Sequence, residues 1–79
     1  MKLERTQLTS GQLSKLEYWK KHGMPTEIIK LGYSCGSRGN GNFHSTWAWR
    51  DGHIEKIWGD GRSTWRSMIR KYGIDNVTG

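Results

Sequence analysis

The segment 34–42, SCGSRGNGN, limits the fold more than any other part of the chain, because it holds three glycines and two asparagines in nine residues. Glycine in a helix interior costs about 1 kcal/mol relative to alanine, so a stable helix cannot run through this segment. Glycine and asparagine accept positive φ, which suits a tight loop. The sequence contains neither of the phosphate-binding patterns G-x-G-x-x-G and G-x-x-x-x-G-K-[ST]. We therefore predict that residues 36–42 form the tip of a hairpin.

Two stretches with alternating polarity flank this loop, as expected for strands that are covered on one side. One face of the first stretch carries Ile29, Leu31, Tyr33 and Cys35, and one face of the second carries Phe43, Trp47 and Trp49. With helical spacing, residues 23–34 instead resemble the second helix of a helix-turn-helix motif. That interpretation requires a recognition helix immediately afterwards, where the glycines lie. We therefore predict strands at about residues 27–35 and 43–50.

A third strand is predicted from the dipeptide Asp-Gly at 51–52, which is a strong signal for a two-residue hairpin turn. Pairing across this turn sets Trp49 beside Ile54, and pairing across the glycine-rich loop sets Leu31 beside Trp47. Directly opposed residues of an antiparallel pair point to the same face. Both predicted registers therefore place the large apolar side chains on one common face of the sheet.

A helix is predicted on each side of the strands. Thr9 and Gln12 have the spacing of a capping box and Gly23 provides a stop, which sets the first helix at about residues 9–22. The last helix, at about residues 62–72, is predicted from apolar positions at i, i+3, i+4 and i+7. These positions are Trp65, Met68, Ile69 and Tyr72.

The predicted fold class is α+β, in a single small domain over residues 1–79 with the order α-β-β-β-α. The third strand covers about residues 53–58, the three strands form an antiparallel meander, and both helices pack on one face of it. Five tryptophans, three tyrosines and one phenylalanine supply the large apolar area that so short a chain needs for a core.

The chain is strongly basic: 13 Lys and Arg oppose seven Asp and Glu, for a net charge of +6. In a domain of this size such an excess is typical of proteins that bind nucleic acid or another acidic surface. On the last predicted helix, Arg62, Arg66 and Arg70 recur every four residues and form one stripe, with Lys71 nearby. Such a stripe can hold successive phosphates. An ordinary solvated helix face is an equally weighted interpretation of the same residues.

Polar residues of the glycine-rich loop and the adjoining elements complete the predicted interface. The full predicted set of nucleic-acid-binding residues is Arg38, Asn40, His44, Arg62, Ser63, Arg66, Arg70 and Lys71. His44 lies where the loop enters the second strand, and a histidine there can also serve as general acid or base on RNA. His44 and His53 are not cross-strand partners in the predicted register, so we predict no metal site, and we predict no cofactor.

Cys35 is the only cysteine, so an intramolecular disulfide is impossible and a reducing compartment is expected. Its position in the alternation predicts a small core residue. The first ten residues contain no apolar run of the kind found in signal peptides, and no stretch has the roughly 18 apolar residues of a membrane span. We therefore expect a cytoplasmic protein with no membrane partner.

The predicted order of elements, together with GDGRSTWRSMIRK at 59–71, resembles the double-stranded-RNA-binding domain. That family has a first hairpin loop ending in a histidine and a Gly-x-Gly-x-Ser entry to its last helix. The matching positions here are the loop 36–42 with His44, followed by Gly59, Gly61 and Ser63. The resemblance implies that the loop enters a minor groove while the last helix holds phosphates across the major groove.

The segment TWRSMIRKYGI, residues 64–74, is also similar to the closing helix of HicA-type RNA-cleaving toxins, which share this topology. Those toxins carry a catalytic histidine on an early strand, a position that His44 matches. This second resemblance implies a ribonuclease in which His44 is the catalytic residue.

The sequence favours a small basic nucleic-acid-binding protein, bacterial or phage-encoded, over an enzyme. It would hold a duplex backbone with the last helix and the 36–42 loop, and duplex RNA is favoured over DNA on the resemblance alone. One alternative is a phage-type regulator that inhibits a host protein by binding its acidic or nucleic-acid-handling surface. The other alternative is the ribonuclease that uses His44.

Overall fold

The fold is α+β, with two helices and a four-stranded mixed sheet. The computed structural model describes residues 2–34, 43–59 and 61–79. A 3₁₀ turn at Arg5–Gln7 precedes the first helix and another at Ile74–Asn76 follows the second. The helices and strands are α1 (Ser10–His22), β1 (Ile28–Ser34), β2 (His44–Trp49), β3 (Ile54–Trp58), α2 (Gly61–Tyr72) and β4 (Val77–Thr78). The five predicted elements are present, and their ends lie within one residue of the predicted bounds.

The sheet has the strand order β3-β2-β1-β4, and β4 runs parallel to β1. The predicted three-stranded antiparallel meander is therefore wrong in one respect, because a fourth strand adds to its edge. Two residues are too few to show a period of two, so nothing in the local pattern marks β4 as a strand. Its Val77 lies beside Ile28 of β1 and is buried with it.

The two helices cover opposite faces of the sheet, so the prediction that both pack on one face is wrong. Ile28 and Ile29 are neighbours in β1 and therefore point to opposite sides. Ile29 belongs to a core cluster with Leu16 of α1, whereas Ile28 belongs to a second cluster with Met68 of α2. The sheet is thus the middle layer of three.

The turn between β2 and β3 accounts for part of the difference between the predicted and the observed faces of the sheet. It contains three residues, 50–52, because the Trp49 N–H donates to the His53 carbonyl at 2.8 Å and the Gly52 N–H donates to the Trp49 carbonyl at 3.0 Å. Trp47 consequently pairs with Glu55, and the predicted pairing of Trp49 with Ile54 is wrong. A shift of one residue moves every side chain of β3 to the other face.

A β-bulge in β1 accounts for the rest of the difference between the predicted and the observed faces. Near the glycine-rich loop, Tyr33 pairs with Ser45, as the predicted register requires. The register shifts between Lys30 and Gly32, so that Lys30 rather than Leu31 lies beside Trp47. The extra residue of a bulge changes the direction in which the following side chains point. Lys30 therefore belongs to the α2 face of the sheet.

Polar pairs join β2 to the helix on each side. The hydroxyl groups of Ser45 and Thr64 lie 2.7 Å apart, and both residues are buried between β2 and α2. On the other face, the Gln12 side-chain amide of α1 donates to the Thr46 hydroxyl at 3.3 Å. Gln12 also completes the predicted capping box, because Thr9 and Gln12 exchange two hydrogen bonds.

The three-residue turn predicts opposite effects for two glycine substitutions. Gly52 has φ 101°, whereas Gly11 lies in α1, and a Cβ at either position would meet no atom within 4 Å. Gly52→Ala should lower the free energy of unfolding by about 1–2 kcal/mol, because an L side chain opposes the left-handed conformation. Gly11→Ala should raise it by about 0.4–1 kcal/mol. Urea denaturation measures both, and a change of the same sign in the two variants would contradict this turn geometry.

The buried hydroxyl pair predicts a strongly non-additive double variant. Thr64→Val leaves the Ser45 hydroxyl buried without its partner, which should cost about 1–3 kcal/mol. Ser45→Ala should cost less, because the Thr64 hydroxyl also donates to the Gly61 carbonyl at 3.3 Å. The S45A/T64V variant should be more stable than the sum of the two losses allows, since both polar groups are then removed. Thermal denaturation tests this, and additive shifts in Tm would show that the two hydroxyls are not coupled.

Candidate nucleic-acid interface on the second helix

The packing of α2 decides which of its side chains meet solvent. Thr64 and Met68 are buried, and the half-buried Trp65, Ile69 and Tyr72 pack against the same cluster. The predicted apolar face of this helix is thereby confirmed. The remaining side chains point away from the sheet, and Arg62, Ser63, Arg66, Arg70 and Lys71 are all exposed.

Three of the exposed residues form the arginine row, by which we mean Arg62, Arg66 and Arg70. In an α-helix, residues four apart are rotated by about 40° and separated by about 6 Å along the axis. The row therefore climbs one flank of α2. The lower end of the row, by which we mean the end at Arg62 in the first turn of α2, lies beside β1. Arg62 shares a cleft there with Lys30 and Tyr33.

The arginine row is not neutralised by the described part of the protein. Elsewhere, Arg5 pairs with Glu17 at 3.1 Å and Arg50 approaches Glu27 at 3.8 Å. Within residues 2–34, 43–59 and 61–79, no carboxylate lies within 4.0 Å of the row. The charge that the sequence concentrates on this helix is thus presented to solvent.

Helix stability does not explain Arg62. Among the described residues, the first turn of α2 contains no acidic side chain, and Arg62 lies at the positive end of the helix dipole. A cation there opposes the dipole by about 0.3–1 kcal/mol. Arg70 and Lys71 lie in the last turn, where the same dipole favours them. Among these described cations of α2, the helix dipole therefore opposes Arg62 and favours Arg70 and Lys71.

The cleft beside Arg62, at the N-terminal end of α2, has a volume of about 600 Å³. It is lined by Lys30, Tyr33, Gly61, Arg62, Trp65 and Gly79. The Lys30 ammonium lies 5.6 Å from the centre of the Tyr33 ring and 3.4 Å from where a Cβ on Gly61 would be. Lys30 thus extends the positive charge of the arginine row from α2 onto β1.

Lys71 lies on the other flank of α2. At about 100° per residue it is roughly 180° around the helix from Arg62. It lines a separate small cavity with Trp49, Glu55 and Ile57, and its ammonium lies 5.4 Å from the Tyr72 ring centre. The structure therefore separates Lys71 from the arginine row with which the sequence grouped it.

His44 is also separated from the row, because it lies on the opposite face of the sheet. Its partner Trp58 and the neighbouring pair Thr46–Lys56 share that face with α1. The His44 ring is edge-on to the Trp58 ring, with the centroids 5.4 Å apart. His53 instead bonds Glu55 through its Nε2 at 2.8 Å. In the described ranges, no group of three or more His, Cys, Asp and Glu side chains is placed to hold a metal ion.

Three predicted positions cannot be compared with the structure. Arg38, Asn40 and Cys35 lie outside the described residues. Lys30 is absent from the predicted set of binding residues. The predicted pairing of Leu31 with Trp47 leaves Lys30 on the face opposite Trp47, whereas the bulge brings it beside Trp47 on the α2 face. The available signal was Gly32, because an isolated glycine in a strand pattern often marks a bulge. A Cβ there would lie 3.3 Å from the Gln12 side chain.

No helix within the described residues combines the length and apolar character needed to cross a membrane. Comparison of the chain with protein-family models, with curated proteins and with solved structures finds no match. The resemblances to double-stranded-RNA-binding domains and to HicA-type toxins therefore stay predictions.

Proposed function

We propose that the protein binds the phosphate backbone of nucleic acid through the arginine row of α2, with Lys30 continuing the contact at its lower end. The observation that carries this proposal is the row itself: three exposed guanidinium groups on one flank, with no described carboxylate within 4.0 Å. A guanidinium group donates two parallel hydrogen bonds to phosphate oxygens, so a row of them suits a phosphodiester chain.

Arg62 supports a phosphate ligand in a second way. Arg62 and the start of the helix dipole repel each other. A phosphate placed beside Arg62 would be attracted both by its guanidinium group and by the positive end of the dipole. An anion bound there would therefore offset this repulsion.

The ligand class follows from the contacts. Arginines on one flank of a helix that is packed on a sheet reach phosphates and supply little base readout, so binding should depend weakly on sequence. Duplex RNA is preferred to DNA in this proposal on the resemblance to double-stranded-RNA-binding domains. The loop 36–42, proposed to enter a groove, lies outside the described residues.

Removal of the row should weaken nucleic-acid binding far more than removal of equal charge elsewhere. The R62A/R66A/R70A variant should bind duplex RNA at least about tenfold more weakly at low salt. The slope of log K against log salt should fall by about 2 to 3, since each phosphate contact contributes about 0.9 on duplex DNA. Gel shifts of duplex RNA, duplex DNA and single strands at two salt concentrations measure both quantities.

The matched control is K15A/K20A/K21A, which removes three exposed charges from α1. It should retain most of the affinity. Equal losses in the two triple variants would mean that only net charge matters, and unchanged binding by the arginine variant would refute the proposal. A stoichiometric protein partner that survives nuclease treatment, with no affinity for any nucleic acid, would identify an acidic protein as the ligand instead.

Single substitutions at the two ends of the row should separate stability from binding. Arg62→Ala should raise the free energy of unfolding by about 0.3–1 kcal/mol, because a cation leaves the positive end of the dipole, whereas Arg70→Ala should lower it by a similar amount. Both should weaken duplex binding. Urea denaturation and gel shifts on the same samples test this, and an Arg62→Ala variant that loses both stability and affinity would assign this residue a structural role.

A further inference from the structure

An aromatic and basic patch lies on the α1 face of the sheet, away from the arginine row. Its centre is Trp58, which is 57% exposed, whereas the other four tryptophans are buried or half-buried. An exposed indole offers a flat apolar ring against which another ring can pack.

The exposure of Trp58 has a clear structural cause. The α1 helix packs on Ile29, Leu31, Ala48 and Ile54, and the β3 residue of this set, Ile54, lies at the near end of that strand. The N-terminal segment pairs with the same end, where Leu3 donates its N–H to the Ile54 carbonyl at 2.9 Å. Trp58 lies at the other end of this strand, beyond both covers.

Two nitrogen-bearing side chains hold the indole of Trp58 in place. The Lys56 ammonium lies 5.5 Å from the ring centre, and the His44 ring packs edge-on against it at 5.4 Å. Lys56 and Trp58 are alternate residues of β3, and His44 is the cross-strand partner of Trp58. All three side chains therefore project from the same face and stay together for as long as the sheet is intact.

A small polar cavity adjoins this group. It has a volume of about 230 Å³. Its lining residues are Leu3, Gln7, Thr9, Gln12, His44, Thr46 and Lys56. The described residues of this lining supply an ammonium group, an imidazole, amides and hydroxyls, all of which can donate hydrogen bonds. A cavity of this composition favours a compact anion with several acceptor oxygens, such as a phosphate.

We infer that Trp58, Lys56 and His44 form a nucleotide-binding site in which an unpaired base stacks on the indole and its phosphate enters the adjoining cavity. Aromatic side chains combined with cations are the usual means of holding single-stranded nucleic acid, because every base has a π face. The ligand is therefore an unpaired nucleotide, either free or within a single strand. This site lies on the other face of the sheet from α2 and does not depend on the arginine row.

The Trp58 indole N–H provides a direct test by NMR. Its resonance is assigned by comparison with the Trp58→Phe variant, and the protein is titrated with adenosine 5′-monophosphate and with a short single-stranded oligoadenylate. We expect the Trp58 signal to shift and that of the buried Trp47 to stay in place. A shift with both ligands indicates a site for free or strand-borne nucleotides, and a shift with the oligomer alone indicates a single-strand site. No shift with either ligand would overturn the proposal.

Variants then divide the site into its two parts. Trp58→Ala should weaken oligoadenylate binding about tenfold or more, since stacking of one base carries roughly that much affinity, whereas Trp58→Phe should keep much of it. Tyr18→Ala is the matched control, because Tyr18 is 53% exposed on α1, and it should bind like the parent. Equal affinity of Trp58→Ala and the parent, in a folded variant, would refute the stacking role.

The phosphate part is tested by comparing adenosine 5′-monophosphate with adenosine. The parent should prefer the phosphorylated ligand, and H44A/K56A should lose that preference. The control H22A/K20A, which removes the same residue types from exposed positions of α1, should retain it. Loss of the preference in both double variants would overturn the assignment of the cavity. R62A/R66A/R70A should still bind the mononucleotide, so failure of the arginine row and failure of this site are distinguishable.

Discussion

Burial of β2 on both faces is the constraint on which the rest of the packing depends. Four consecutive residues, 45–48, are buried, so each face of this strand requires its own cover. The Trp47 side chain is fully buried, yet its indole N–H has no hydrogen-bond partner among the described residues. An unpaired buried donor costs about 1–3 kcal/mol, whereas burial of an aromatic side chain contributes about 4–6 kcal/mol at 25 cal/mol per Å². The area term exceeds the penalty, and Trp47 can fill the interface between β2 and α2.

Both helices and the strands β1 to β3 could be predicted because their signals are local. The capping box at Thr9 and Gln12, the helical period of α2 and the alternation around the glycine-rich loop each depend on a few neighbouring residues. The faces could not be predicted, because they depend on one-residue differences in register. The Asp-Gly dipeptide is compatible with turns of two or three residues, and Asp51 stabilises the longer one by accepting the His53 N–H at 2.9 Å. The longer turn also places Ile54 in the core cluster that packs against α1. This packing is a tertiary contact, so the local sequence pattern does not indicate it.

The residues of the candidate interfaces also differ in whether local sequence could predict their positions. The arginine row follows from helical spacing alone, since exposed residues four apart share a flank wherever the helix packs. Lys30 and His44 depend on the sheet: a bulge brings Lys30 to the α2 face, and the pleat leaves His44 on the other. His44 and the arginine row therefore lie on opposite faces of the covered sheet, so these side chains cannot contact one flat ligand together. The exposure of Trp58 likewise depends on tertiary structure, since it is set by the face of β3 on which Trp58 lies and by the extent of α1.

The two proposed surfaces are close in the chain and opposite in space. Trp58 ends β3 and lies on the α1 face, whereas Arg62 lies in the first turn of α2, which covers the other face. Their interactions also differ, because attraction between arginines and phosphates falls with salt, whereas stacking on an indole does not involve counterion release. A nucleic acid that contains both a duplex and an unpaired strand presents both chemistries in one molecule. If both proposals hold, backbone contact at α2 would raise the effective concentration of a nearby unpaired base at Trp58, and the two weak contacts would together favour such a ligand over a plain duplex.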